Sequence, residues 1–318
     1  MSKKINKRRK KVMTIFAIIL FIIFSLNVFG FIINKIFFSN ELDNVLPYGK
    51  LIEVNGKNMH VYSMGEGEKT IVLLPGLGVA LPSADFGPLM RKLSKNFKVV
   101  CIEYFGVGFS DKTETSRTNE NYTQEIRTVL NAAGFSPPYI LMPHSASGIY
   151  SEYYATKYPN EISAIIMLDT TSSAKKDVKV PKFVYNIAKI QQATGLSRII
   201  NSIVVPRLLK ESNGYTKKEI SDYKKFMNQA LNDTIINQNI FFYDNVNEVM
   251  TQDFPNEIPV LKIVPTGTIK QVGEDYQKNH IKKLGENAQY TIFNGSHFIY
   301  HTNIKEIYDT TVDFLLKY

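Results

Sequence analysis

A serine on a tight turn is the residue in this sequence that is best placed for chemistry. The stretch YILMPHSASGIY (139–150) predicts a short buried strand, a sharp turn and a helix that begins after Ser145. Such a turn brings the backbone on its two sides close together, so the residues two before and two after the centre must be small. Pro143 and Ser147 hold these positions around Ser145, whereas a turn centred on Ser147 would place the bulky Ile149 there. Ser145 is therefore the candidate nucleophile.

The same stretch also has a plain structural interpretation. Ser-Ala-Ser-Gly suits an ordinary strand-to-helix loop, in which a serine caps the helix and the glycine relieves the turn. In addition, Pro143 stands where the G-x-S-x-G elbow usually has glycine. The stretch alone leaves both interpretations open, and the surrounding elements must decide.

Alternating strands and helices surround the serine. Asn55-Gly56 predicts a hairpin of two antiparallel strands at a sheet edge. Short apolar runs predict six further strands, at residues 70–74, 97–103, 139–142, 162–168, 260–264 and 288–293. Helical spacing between and after them implies right-handed crossovers and a mainly parallel sheet covered on both faces. Ligands collect at the carboxyl ends of such strands, where Gly76, Gly106, Ser145 and Asp169 fall.

The alternation stops after the sixth strand. Residues 171–255 show helical periodicity without a convincing strand, which predicts a helical cap over the ligand end of the sheet. The loop after the seventh strand, at 265–273, leads to a helix predicted at 275–284. We expect the core domain to comprise residues 49–170 and 256–318, joined by a linker at 34–48 to an N-terminal segment.

That N-terminal segment predicts a membrane span. Residues 12–33 carry no charge, and at 1.5 Å per residue they make a helix of about 33 Å, enough for a hydrocarbon core of about 30 Å. A cleaved signal peptide is the alternative, but it would have an apolar core of about 7–15 residues and a small-x-small cleavage site, and neither is found before Asn34. Residues 1–11 are basic, so the positive-inside rule predicts a single-pass cell-membrane protein with a cytoplasmic N-terminus and an extracytoplasmic remainder.

Charge and composition exclude several classes of function. Seven of the nine net positive charges of the 318-residue chain lie in the first 11 residues, so no basic groove for nucleic acid is expected. Cys101 is the only cysteine, which rules out an internal disulfide. The sequence contains no metal-ligand cluster, phosphate loop or dinucleotide fingerprint, so we expect no metal and no cofactor.

With these motifs in place, the chain resembles the α/β-hydrolase fold superfamily over residues 51–318. The resemblance rests on PGLG after the third strand, EYFGVGFSD after the fourth, HSASG after the fifth, a helical cap after the sixth and GSH after the last. Within the superfamily, the combination looks like membrane-anchored serine hydrolases of low-GC Gram-positive bacteria. The resemblance implies an α/β-hydrolase fold with a mostly parallel, eight-stranded sheet.

The resemblance also implies roles for individual residues. Ser145 would be the nucleophile, and His297, after the last strand, would be the base, with His301 as the alternative. The backbone N–H groups of Ala146 and Leu77 would form the oxyanion hole.

The carboxylate of the triad is less clear from the sequence. The family usually places it shortly after the seventh strand, but PTGTIKQVG offers Lys270 there. Two candidates keep the order serine, acid, histidine: Asp169 after the sixth strand, and Asp275, with Glu274 beside it, after the seventh.

The predicted function is a serine hydrolase that acts on a small-molecule carboxylic ester, which the capped site beside a bilayer suggests is lipophilic. One alternative is a ligand-binding or signalling module on the same fold, with a slow or unused triad. A second is a serine peptidase or acyltransferase, which uses the same serine chemistry.

Overall fold

The computed structural model describes residues 2–174 and 179–318. Met1, the first residue of the predicted basic segment, and residues 175–178, within the predicted cap, lie outside the described residues.

A single sheet forms the centre of the described chain, with the strand order β1-β2-β4-β3-β5-β6-β7-β8. The hairpin β1–β2 and the pair β2–β4 are antiparallel, and every other neighbouring pair is parallel. The eight strands are β1 (Lys50–Val54), β2 (Lys57–Met64), β3 (Thr70–Leu74), β4 (Lys98–Glu103), β5 (Tyr139–Pro143), β6 (Ile162–Leu168), β7 (Val260–Pro265) and β8 (Ala288–Phe293). The predicted fold class is confirmed.

Local sequence explains the strands. Each of β3 and β5 is five residues long and buried at every position, as expected for parallel strands covered on both faces. The β1–β2 turn has φ angles of 53° at Asn55 and 78° at Gly56, the left-handed pair that a two-residue hairpin requires.

Helices cover both faces of the sheet. Those of the core are α2 (Pro82–Asp85), α3 (Gly87–Leu93), α4 (Asn119–Ala132), α5 (Ser147–Lys157), α10 (Thr266–Val272), α11 (Glu274–Leu284) and α12 (Ile304–Leu315). The prediction of a loop over 265–273 is wrong, because α10 occupies most of it. This helix is only two turns long and ends at Gly273, so its amphipathic pattern is too short to be recognised.

Two apolar layers hold these elements together. One layer lies between the sheet and α4 and α5, and includes Val72, Ile126 and Ile149. The other lies between the opposite face and α3 and α12, and includes Ile71, Leu89 and Phe314. The strand residues alternate between the two layers, so both faces of the sheet are buried.

The segment between β6 and β7 is helical, as predicted. Among its described residues are α6 (Lys182–Ala193), α7 (Leu196–Leu208), α8 (Lys217–Asn228) and α9 (Asp233–Met250). An ion pair between Arg91 of α3 and Glu219 of α8, at 2.6 Å, joins the inserted helices to the core.

A long helix, α1 (Ser2–Phe38), precedes the sheet. It extends beyond the predicted span of residues 12–33 at both ends. From Val12 to Ile32 its apolar side chains are exposed; Phe24, for example, is 66% exposed. Within the described part of the chain, one helix is long and apolar enough to cross a membrane, and it is the Arg9–Phe38 part of α1.

Candidate active site

Ser145 lies on the turn between β5 and α5, as the sequence predicts. Its φ angle is 54°, a left-handed conformation that costs a residue with a side chain about 1–3 kcal/mol. Two backbone hydrogen bonds hold it there: the Ser145 N–H donates to Leu168 O at 3.2 Å, and Ser145 O accepts from the Thr171 N–H at 3.0 Å. The turn is thereby joined to the loop that follows β6.

Three side chains form a continuous hydrogen-bonded chain at the carboxyl ends of β5, β6 and β8. His297 Nε2 lies 2.9 Å from Ser145 Oγ, and His297 Nδ1 lies 2.7 Å from Asp169 Oδ2. The Nδ1–H donates to the carboxylate, which leaves the Nε2 lone pair to accept the Ser145 hydroxyl proton. Asp169 is buried, whereas the His297 side chain is 46% exposed, so the serine end of the chain is open to a substrate.

Asp169 is held as tightly as the serine. It has a φ angle of 45°, and its N–H donates to Ile263 O of the neighbouring β7 at 2.9 Å. Thr268 on α10 donates its hydroxyl to Asp169 Oδ2 at 2.6 Å, so one oxygen accepts both the threonine and the histidine proton. The sequence does not predict this contact of Thr268, because residues 265–273 were predicted to form a loop rather than the helix α10.

The alternative acid and base lie elsewhere. Asp275 and Glu274 are exposed in the first turn of α11, where Glu274 accepts from the Tyr290 hydroxyl and pairs with Lys278. His301 is buried, and its Nε2 lies 2.9 Å from Asp85 Oδ1. Among the described residues, neither Asp275 nor His301 has a hydrogen bond to His297 or Ser145.

The predicted oxyanion donors flank the serine. Within the described chain, neither the Leu77 N–H nor the Ala146 N–H donates to another backbone group outside the regular elements. Gly76 packs against the serine so closely that a Cβ built on it would lie 2.7 Å from Ser145 Cβ. Among the described residues, no backbone acceptor therefore competes for either N–H group.

Ser147 fixes this loop. It donates its hydroxyl to Pro75 O at 2.5 Å, and Tyr104 OH lies 2.9 Å from the same Ser147 oxygen. The second serine of the motif thus has a positioning role that its place in the turn did not reveal.

His144, which directly precedes the serine, lies buried beneath the site and supports the candidate base. Its Nε2–H donates to the His297 backbone oxygen at 3.1 Å, and the two rings lie 4.7 Å apart. Burial, followed by the nearby His297 ring, holds the pKa of His144 well below its usual value, so the ring stays neutral.

A second polar network lies behind Asp169. Buried Lys262 on β7 donates to His280 Nδ1 at 2.8 Å, and His280 Nε2–H donates to Glu152 Oε1 at 2.9 Å. Burial lowers the pKa of His280 to about 4, and burial likewise lowers the pKa of Lys262 to about 8. At neutral pH the histidine is therefore neutral, with its tautomer set by the lysine on one side and the carboxylate on the other.

A cavity of about 490 Å³ lies between the core and the inserted helices. Its walls include Leu77 of the loop after β3, Gly106, Gln191 of α6 and Asn201 of α7. Ser145 and His297, both described residues, are not among its walls, but Leu77 follows Gly76, which packs against Ser145. Among the described residues, no group of three or more His, Cys, Asp and Glu is arranged to hold a metal ion.

Fold and sequence together define the family: this chain belongs to the α/β-hydrolase family. Residues 69–204 match the family model for the alpha/beta hydrolase fold.

Individual relatives extend the match over most of the chain. The uncharacterized protein YbdG of Bacillus subtilis is 30% identical over 285 residues, which cover 85% of this chain and 86% of that protein. Human serine hydrolase BPHL is 30% identical over 120 residues, covering 36% of this chain and 40% of that protein. The solved enol-lactonase of Burkholderia xenovorans superposes with a TM-score of 0.58 at 19% identity, covering 84% of this chain and all of that one, and shows the fold.

Proposed function

We propose that this hydrolase uses serine chemistry and cleaves carboxylic esters. Ser145 is the nucleophile, His297 the general base and Asp169 the acid that orients the base. The observation that carries the proposal is the unbroken chain of hydrogen bonds from Ser145 Oγ through His297 to Asp169, at 2.9 and 2.7 Å. A serine hydrolase among the relatives supports the same chemistry.

The geometry supports a two-step reaction. As Ser145 Oγ bonds to the ester carbonyl carbon, its proton passes to His297 Nε2, and the carbonyl oxygen becomes an anion bound by the Leu77 and Ala146 N–H groups. The carbon–oxygen bond to the leaving alcohol then breaks, and the alkoxide takes the proton from His297. Water repeats the sequence on the acyl-enzyme, which releases the carboxylic acid and restores Ser145. Asp169 orients the His297 ring and stabilises the imidazolium that forms.

Kinetics on an ester panel test this proposal. The full chain, solubilised in detergent, is assayed against p-nitrophenyl esters of increasing chain length, beside Ser145→Ala. The matched control is Ser151→Ala, which removes a buried hydroxyl of α5 that has no hydrogen-bond partner among the described residues. We expect turnover that is lost in Ser145→Ala and kept in Ser151→Ala. Equal rates in all three proteins would contradict the proposal, and turnover of amides alone would favour the peptidase alternative.

We further propose that α1 anchors the enzyme in the cell membrane, with the catalytic part outside the cytoplasm. The exposed apolar surface of the helix supports the span, and the basic residues before it support the orientation. Extraction of membranes with alkaline carbonate tests the anchor. If α1 spans the membrane, the full-length chain stays in the membrane pellet. Release of a trimmed, soluble chain would identify α1 as a cleaved signal instead.

A further inference from the structure

Helices α6 and α7 present apolar faces to solvent. On α6 the exposed apolar residues recur at helical spacing, and on α7 they recur at i, i+3, i+4 and i+7. They are Phe183 (62% exposed), Val184 (40%), Ile187 (50%) and Ile190 (58%) on α6, and Leu196 (44%), Ile199 (64%), Ile200 (47%) and Ile203 (50%) on α7. We call these eight residues the α6–α7 face. An apolar surface this continuous marks an interaction site on a folded protein.

The opposite sides of the same helices already pack on the protein. Tyr185 of α6 and Asn201 and Val205 of α7 are buried. The α6–α7 face is therefore a second apolar side, and the burial of the cap on the core does not explain it.

The turn between α6 and α7 is fixed to α1. Asn34 donates to Gln192 O and Ala193 O at 3.1 Å, and Arg198 donates to Asn34 Oδ1 at 2.6 Å. Arg198 also forms a bidentate pair with Glu41, at 2.7 and 2.6 Å, and both partners are mostly buried. Helix α1 thus leaves the catalytic part in a defined place, beside this turn.

The contact with α1 sets the depth of the turn. The Thr194 carbonyl oxygen lies against Gly30, at the position that the Cβ of any other residue would occupy. Gly30 lies three residues before Ile33, the end of the uncharged run, which is about 4–5 Å along the helix. If α1 spans the bilayer, the α6–α7 turn lies at the edge of the hydrocarbon core, where Leu196 beside it meets lipid.

We infer that the α6–α7 face docks into the outer leaflet of the membrane beside α1. This inference rests on the proposed membrane span, and its partner is the lipid surface rather than another protein. Amphipathic helices that lie in the interface bury an apolar face by about 5–10 Å and place basic residues among the headgroups. Exposed Arg207 and Lys210 stand at the end of α7 away from the turn, where anionic headgroups would meet them.

Docking would also define the class of substrate. The cavity beside Leu77 is walled by residues of α6 and α7, including Ala188 and Ser197. With the outer side of these helices in lipid, the cavity lies directly above the leaflet. The substrate class that fits is an ester with an acyl chain long enough to partition into the membrane.

Fluorescent probes on the full chain in vesicles of phosphatidylglycerol and phosphatidylethanolamine test the docking. Single cysteines at Ile187→Cys and Ile199→Cys carry an environment-sensitive fluorophore on the face. Phe24→Cys reports on the membrane span, and Lys282→Cys, at an exposed position of α11, reports on contact with water. The native Cys101 thiol is fully buried, so the unsubstituted chain is the labelling blank.

Docking predicts that probes at Ile187 and Ile199 emit at shorter wavelength than the Lys282 probe, are quenched by nitroxide lipids and are shielded from iodide. Iodide quenching at both positions, with the Phe24 probe in lipid, would overturn the docking and leave the span intact. Shielding from iodide without quenching by nitroxide lipids would also overturn it, and would indicate a second copy of the chain on the face. A Phe24 probe in water would overturn both the span and the docking.

Discussion

Substitution of Asp169 by Asn tests the assignment of the acid that the sequence left open. In the structure, Asp169 Oδ2 accepts from His297 Nδ1 at 2.7 Å and from Thr268 Oγ1 at 2.6 Å. An asparagine whose amide nitrogen faces the ring makes Nδ1 an acceptor, which moves the proton to Nε2 and leaves no lone pair for the serine proton. An asparagine in the other orientation keeps the tautomer but lacks the charge that stabilises the imidazolium. We expect kcat to fall about 10³- to 10⁴-fold, or about 4 to 5.5 kcal/mol in activation free energy.

Steady-state kinetics on a p-nitrophenyl ester measure this loss, with Asp275→Asn as the matched control. Asp275 is exposed on α11, so its substitution should leave kcat unchanged. Circular dichroism establishes that both variants fold. If Asp169→Asn kept more than about a tenth of the wild-type kcat, a loss below about 1.4 kcal/mol, the orienting role of Asp169 would be refuted. A large loss in Asp275→Asn alone would assign the acid to α11.

Three further predictions concern residues around the site. Ser147→Ala removes the hydrogen bond that holds Pro75 O. We expect kcat to fall about tenfold with little change in KM, because the oxyanion donors act in the transition state. An unchanged kcat would show that Ser147 does not position the oxyanion donors. His144→Phe removes the donor to His297 O, and kcat should fall by a similar factor while fluorophosphonate still labels Ser145, although slowly; unchanged labelling kinetics would contradict it. Burial lowers the pKa of His280 from 6.5 to about 4, so between these pH values the folded state binds fewer protons than the unfolded state. About 3 kcal/mol of the free energy of unfolding that is present above pH 6.5 should therefore be lost as the pH falls through 4. Denaturant unfolding should show that the free energy of unfolding falls less over this pH range in His280→Gln than in the wild type. Equal falls in the two proteins would show that His280 does not cause the pH dependence.

Much of the fold was predictable because its elements carry local signals. The bounds of β3, β6 and β8 agree with the predicted strands, since each is a short apolar run between polar or turn residues. The Asn55-Gly56 turn followed from its dipeptide alone. The mainly parallel sheet followed from the order of strands and helices along the chain, whereas the antiparallel pairing of β2 with β4 was not predicted.

The site was predictable in part. Ser145 and His297 occupy loops whose positions the order of strands determines. The acid stayed open because β6 and β7 are neighbours in the sheet, so a carboxylate after either strand starts near the same place. Only the three-dimensional arrangement brings Asp169 to 2.7 Å from the ring and leaves Asp275 exposed on α11.

Contacts between residues that are distant in sequence were not predictable. Thr268 reaches Asp169 across 99 positions, and Asn34 reaches Gln192 across 158. No local pattern marks either contact, because each depends on how two separate elements pack. The apolar spacing on α6 and α7 is also ambiguous in sequence, since it would equally suit a face packed on the core.

The proposed chemistry requires Ser145 to be an activated nucleophile. Incubation of the solubilised full chain with a fluorophosphonate, followed by peptide mapping with tandem mass spectrometry, measures this activation at the residue itself. We expect one adduct, on the peptide that contains Ser145, and no adduct in Ser145→Ala. If a folded wild-type chain formed no adduct, or formed it at another residue, Ser145 would not be the nucleophile.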